Sequence, residues 1–123
     1  MHPTIKLKRA YEAPDKTDGI RILVDRLWPR GVKKEEAHID EWAKDIAPST
    51  ELRESYHDAP GSWPEFEKKY KAELKHNEAV EVFIEKYQQE KLLTLIYAKK
   101  DEEHNNALVL KEYLEHAFTH RFH

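Results

Sequence analysis

An α/β layered fold, with a small and mostly parallel sheet of about three strands flanked by several helices, follows from two observations and a rule. The segment Leu92 to Ala98, "LLTLIYA", is almost continuously apolar, the pattern of a strand covered on both faces. A long stretch of helix-period sequence separates it from an earlier apolar run, Ile20 to Val24, which is rich in β-branched residues. A helical connection of that length between two buried strands implies a parallel pair with a right-handed crossover.

The chain supports this element by element. Ile5 to Arg9 ("IKLKR") alternates, with Ile5 and Leu7 on one face and lysines on the other, as an edge or half-covered strand does. Asp18-Gly19 is a turn signal before the second strand. Ile39, Trp42, Ala43 and Ile46 fall at steps of three and four, which predicts a helix stopped by Pro48. Ser49 or Thr50 can cap a short successor carrying Leu52 and Tyr56. "SWPE" at 62–65 reads as a capping box, with Ser62 at the cap, Glu65 reaching back and Pro64 in the first turn. Trp63, Phe66, Tyr70 and Leu74 then form one helical stripe. Val80, Phe83, Ile84 and Tyr87 form a second, and Ala107, Leu110, Leu114, Ala117 and Phe118 a third. No repeat, linker or low-complexity segment interrupts this order, so one domain over residues 1–123 is expected.

Bulk composition narrows the function. Apolar residues make up 39% and charged residues 37%, so a compact core must lie under a heavily ionised surface. Net charge is −3 from 21 basic and 24 acidic groups, a balance that argues against a general nucleic-acid binder. The absence of cysteine excludes disulfides, thiolate catalysis and Cys-type zinc. No apolar stretch is long enough to span a bilayer, and "MHPTIKLKRAYEAP" lacks the apolar segment of a signal peptide, so no membrane partner and a cytoplasmic location are expected. No P-loop, G-x-G-x-x-G or G-x-S-x-G occurs, and three glycines leave little material for phosphate loops; no cofactor is expected.

Open parallel sheets bind ligands beyond the carboxyl ends of their strands. "DRLWPRG" follows the second strand and "KKDEEHN" follows the third, and the two face one crevice if those strands are neighbours. Arg26 and Arg30 suit a planar, bidentate grip on carboxylate or phosphate. Asp25 can orient one of those guanidiniums or act as a base, and Trp28 can stack on a ligand ring. The competing reading is an internal Asp–Arg pair that closes a loop, with Trp28 filling core. In the second segment Asp101 is a candidate N-cap for the last helix, which puts His104 in its first turn as a candidate acid or base; a solvated helix start is the alternative. His57-Asp58 alone is a weak metal signal. His116, His120 and His123 suit a helix C-terminus by charge, so no metal site is expected.

"ILVDRLWPRG" resembles the signature of the YeaO-like branch of a bacterial domain-of-unknown-function family, number 488. "IDEWAKDIAPSTELRESYHD", "WPEFEKKYKAEL" and "LTLIYAKKDEEHNNALVL" are similar to that family's later blocks. The resemblance implies a small cytoplasmic α/β protein without an established activity. More distant relatives carry a cysteine and a His-Arg pair where "EEHNN" stands here, so thiol chemistry does not carry over. Residues matching the polar blocks include Asp25, Arg26, Trp28, Arg30, Trp42, Lys44, Ser49, Arg53, His57, Asp101, His104 and Asn105. Convergence of Arg26, Arg30, Lys44 and Arg53 would make an anion pocket in a chain of net negative charge.

The resulting expectation is a protein that holds a small anionic molecule, phosphate- or carboxylate-bearing, at the carboxyl edge of the sheet. Asp25 and His104 are the candidate catalytic groups. Arg26, Trp28, Arg30, Lys44, Arg53, Asp101 and Asn105 are the candidate ligand contacts. The alternative is a non-catalytic adaptor or regulatory binding protein, anchored by exposed Trp28, Trp42 or Trp63. Oligomeric state stays open.

Overall fold

The computed structural model describes residues 2–58 and 62–121, apart from the side chains of 57, 58 and 121. Four strands, β1 (Thr4–Arg9), β2 (Ile20–Leu23), β3 (Glu41–Trp42) and β4 (Leu92–Tyr97), form one sheet in the order β1-β4-β2-β3, parallel throughout. The continuously apolar β4 lies inside, bonded to β1 on one side and β2 on the other, and β1 is an edge. Thr4 pairs with Leu92 and Ile20 with Leu93, so β1 and β2 reach β4 at nearly the same level.

The sheet has one more strand than expected. Residues 39–46 are not a helix: Glu41 and Trp42 form β3, and a 3-10 turn covers Lys44–Ile46. The four-residue helix α1 (Lys34–Ala37) ends at His38, whose φ of 50° turns the chain toward β2. There the Asp40 amide donates to the Arg21 carbonyl and the Ala43 amide to that of Leu23, both 2.8 Å. Spacing of three and four is also what a two-residue strand followed by a tight turn produces. Edge pairing with β2 decided between the two.

Helices α2 (Thr50–Asp58), α3 (Trp63–Lys75), α4 (Glu78–Tyr87) and α5 (Asn106–Arg121) carry the expected stripes. The Ser49 hydroxyl accepts from the Leu52 amide at 3.1 Å and so caps α2. Ser62 takes the N-cap position of α3 with Pro64 in its first turn, but its side chain makes no cap bond to the helix; Glu65 pairs with Lys69 one turn on. Phe66, Tyr70 and Leu74 of α3, Phe83 and Ile84 of α4, and Leu110, Leu114 and Phe118 of α5 meet Ile5, Ile22, Leu93 and Leu95 in one buried core. Those four strand residues share one sheet face, since side chains alternate along each strand. On the opposite face lie Arg21, Leu23, Thr94 and Ile96, all buried. Trp28, Pro29, Val32, Ala37 and Ile39 come against this side, so irregular chain and one short helix cover it. No helix among the described residues is long and apolar enough to cross a membrane.

Candidate functional site

β2 and β4 are adjacent, so the segments that leave their carboxyl ends are adjacent too. The first is tied down at once. Asp25, half-buried, accepts the Ala98 amide on Oδ2 at 2.9 Å and the Asn106 side-chain amide on Oδ1 at 3.2 Å. Asn106 also donates to the Val24 carbonyl, and Trp42 donates its indole N–H to the Asp25 carbonyl at 2.8 Å. The acid thereby locks the end of β2 to the end of β4 and to the start of α5. Burial pushes its carboxyl above the ordinary value, and its two donors recover only part of that.

Asp25 has no arginine partner among the described residues, contrary to both roles the sequence suggested for it as a pair. Arg26 turns instead to the chain before α2, donating to the Pro48 carbonyl at 2.9 Å and that of Ala47 at 3.3 Å. The physical reason is local: backbone amide and Asn106 already occupy the Asp25 oxygens, and two carbonyls wait on the other side. Trp28 meets Trp42 edge-on, ring centroids 5.5 Å apart, and satisfies its N–H on the Val32 carbonyl at 2.7 Å. Gly31 follows with φ of 81°, the left-handed turn that ends this loop.

Beyond these ties the structure leaves a cavity of about 380 Å³. Asp25, Arg26, Trp28, Arg30, Arg53 and Asn105 of the expected set border it. Arg30 and Arg53 are exposed, and neither forms an ion pair among the described residues. Three expected residues do not line it. Lys44 stands over the Trp42 ring at 4.9 Å, outside the lining. Asp101 does not cap α5: Asn105 does, accepting the Leu108 amide on Oδ1 at 2.8 Å. Asp101 closes the turn ahead of it, accepting the amides of Glu103 and His104. His104 therefore precedes the helix, 3.2 Å from Asp101 through Nδ1 and against Trp63 at 5.0 Å between centroids. It is not part of the cavity lining, whereas Trp63 is.

The lining also contains residues not anticipated as site groups. Tyr56, Trp63 and Phe66 form an aromatic cluster with centroids 4.8 to 5.8 Å apart, read from the sequence as helix-stripe core. Lys99, two residues after the end of β4, lies over Tyr56 at 4.5 Å, and burial lowers its ammonium below the ordinary value. The rule that ligands gather at strand carboxyl ends pointed at Lys99 as much as at Asp25. Trp28, Trp42 and Trp63 are half-buried, not the exposed anchors an adaptor would present; among the described residues the strongly exposed large apolar ones are Tyr11, Leu27 and Val82.

Among the described residues, no group of three or more His, Cys, Asp or Glu is placed to hold a metal ion. The His116 and His120 rings meet at a tilt of 52° with centroids 4.0 Å apart, while His123 and the side chains of His57 and Asp58 lie outside the described residues.

Residues 4–122 match the family described as "Inactive DUF488-N3 subclade". The chain is 44% identical over 110 residues to "Uncharacterized protein YeaO" of Escherichia coli (strain K12), covering 89% of this chain and 96% of that one. It is 38% identical over 110 residues to "Uncharacterized protein Rv3073c" of Mycobacterium tuberculosis (strain ATCC 25618 / H37Rv), covering 89% and 92%. "Uncharacterized protein Mb3100c" of Mycobacterium bovis matches equally, at 38%. No solved structure matches.

Proposed function

We propose that this chain, which belongs to the family of the inactive DUF488-N3 subclade, holds a small anionic ligand at the carboxyl edge of its sheet and does not turn it over. The observation that carries this reading is the charge of the cavity wall. Arg26, Arg30, Arg53 and Lys99 border it against a single carboxylate, Asp25, whose oxygens are already hydrogen-bonded. A cavity with that imbalance, in a chain of net charge −3, attracts an anion locally while the molecule as a whole does not.

Absence of turnover is supported by what surrounds the grip. The candidate proton carrier His104 touches Trp63 but is not part of the lining, and no serine, threonine or histidine lines the cavity among the described residues. The family's description as inactive supports the absence of turnover. The test is thermal denaturation with added phosphate and with small carboxylates, run on the wild type and on His104→Gln. A binder is stabilised in proportion to the logarithm of ligand concentration. Protection that is unchanged in His104→Gln is expected. No protection by any anion would overturn the binding reading, and product formation lost in His104→Gln would overturn the non-catalytic one.

A further inference from the structure

The anion grip occupies only part of the cavity, and the rest has its own chemistry. We infer that the ligand is a planar aromatic or heteroaromatic ring bearing one carboxylate, its ring held against Trp28, Tyr56 and Trp63 and its carboxylate by Arg30 and Arg53. This rests on the reading of the site as an anion pocket and names the class of anion.

Three features lead there. The first is the apolar wall. Tyr56, Trp63 and Phe66 pack on one another, while Trp28 is fixed separately by Trp42 and by its bond to Val32. Trp28 has thus met its only polar demand away from the cavity, so what it offers a ligand is ring surface. Flat π surfaces favour a flat partner, stacked or edge-on, over a puckered aliphatic one of equal size. The second is volume. About 380 Å³ stands near the low end of the roughly 300–1,000 Å³ of small-molecule sites, room enough for one or two fused rings with a substituent.

The third is the kind of anion. Guanidinium matches carboxylate in a planar two-point contact. Guanidinium grips phosphate as well, but the further help that a helix start gives a phosphate is reduced at α5, where Asn105 already takes the Leu108 amide. A flat body with one carboxylate meets the ring wall and the two exposed guanidiniums together.

Calorimetric titration with indole-3-carboxylate, cyclohexanecarboxylate, 3-methylindole and inorganic phosphate tests this. We expect indole-3-carboxylate to bind at least tenfold more tightly than each of the others. Trp63→Leu should erase its advantage over cyclohexanecarboxylate, and Arg53→Met should erase its advantage over 3-methylindole. Equal binding of the two carboxylates, or tighter binding of phosphate, overturns the ring class and leaves the anion pocket standing. Binding of 3-methylindole as tight as that of indole-3-carboxylate overturns the anion grip itself, and so does silence from both carboxylates and phosphate. Should Trp63→Leu fail to fold, the wild-type panel decides alone, since each of these outcomes is read on the unaltered protein.

Discussion

Strand β2 runs from one acid–arginine cluster to another. At its amino end Asp18, 2% exposed, receives Arg21 at 2.6 Å and Lys8 at 3.2 Å, and Arg21, 4% exposed, also donates to the Ala37 carbonyl. Every charge there is answered by another. At its carboxyl end, within six residues, Asp25, Arg26 and Arg30 ignore each other: the acid binds amides, one arginine binds carbonyls, and the other stays at the cavity rim. The same residue types thus do two jobs. A saturated pair fixes geometry, whereas like groups held apart around a space leave charge available to a ligand. The loop-closing Asp–Arg pair that the sequence allowed at 25–30 exists in this molecule, but at 18–21.

The largest effect that can break the comparison comes from the saturated end. Arg21→Met leaves Asp18 buried with Lys8 as its remaining cation. The expected cost is roughly 3–5 kcal/mol, the usual loss when one partner of a buried pair is removed. At roughly 3–6 °C per kcal/mol for a domain of this size, the melting temperature should fall by about ten degrees or more. Urea denaturation measures it, and a loss below about 1 kcal/mol would mean that the amino-end cluster is no more structural than the other.

Two glycines extend the contrast to the backbone. Gly19, with φ of 65°, sits so close to β4 that an added Cβ would lie 2.5 Å from the Leu92 carbonyl oxygen. Gly31, with φ of 81°, has open space around the same position. Gly19→Ala should cost roughly 2–4 kcal/mol, backbone strain and overpacking together, against about 1 kcal/mol for Gly31→Ala, which meets strain alone. Equal costs in paired denaturation curves would remove the idea that the amino end is closed and the carboxyl end open.

The acids separate with pH, and with opposite signs. Burial lifts the Asp18 carboxyl, but hydrogen bonds from the Asp15 chain, Lys8 and Arg21 outweigh it and leave it below its ordinary value. Its contribution is then present above the unfolded value of about 3.9 and lost as pH falls through the folded one. Asp25 stands above its ordinary value. Its contribution is present below about 3.9 and lost as pH rises through the folded value. Asp18→Asn should flatten the acid limb of the stability profile, and Asp25→Asn the decline on leaving acid. Stability measured in pH steps across both limbs checks this; matching effects of the two variants would contradict the assignment.

How far all this was readable from the chain depends on the distance of the deciding contacts. β4 was legible because burial on both faces writes an unbroken apolar run, whatever the neighbours are. Residues 39–46 were not, because the edge of β2 that claims Glu41 and Trp42 lies about twenty positions back and leaves no mark on their spacing. The carboxyl-end rule pointed to the loops that border the cavity, and Asp25, Arg26 and Arg30 are among its lining. What Asp25 binds was invisible, since its partners sit 73 and 81 positions away at Ala98 and Asn106. Asp101 was misread as the helix cap because Asp101 and Asn105 are both good capping residues four apart, and only the helix start decides between them.

The smallest effects divide Arg26 from Arg30. Arg26 is half-buried and bonded to two carbonyls that precede α2, so Arg26→Met takes a charged donor from both and frees the approach to that helix. A cost of about 1–3 kcal/mol is expected, the usual contribution of hydrogen bonds to a charged group. Arg30 is exposed, and its recorded bond is made by its backbone carbonyl, which accepts the Tyr11 hydroxyl at 3.0 Å. Arg30→Met keeps that bond and should change stability by no more than about 0.5 kcal/mol in either direction. Removing one of several like charges around a shared space even favours the small gain. The same substitution should abolish most of the protection given by an added carboxylate, which Arg26→Met should only reduce. Melting curves of both variants, with and without indole-3-carboxylate, separate the cases. If Arg30→Met costs as much as Arg26→Met and keeps the full ligand response, Arg30 belongs with the structural charges, and the contrast between the two ends of β2 fails at its most exposed member.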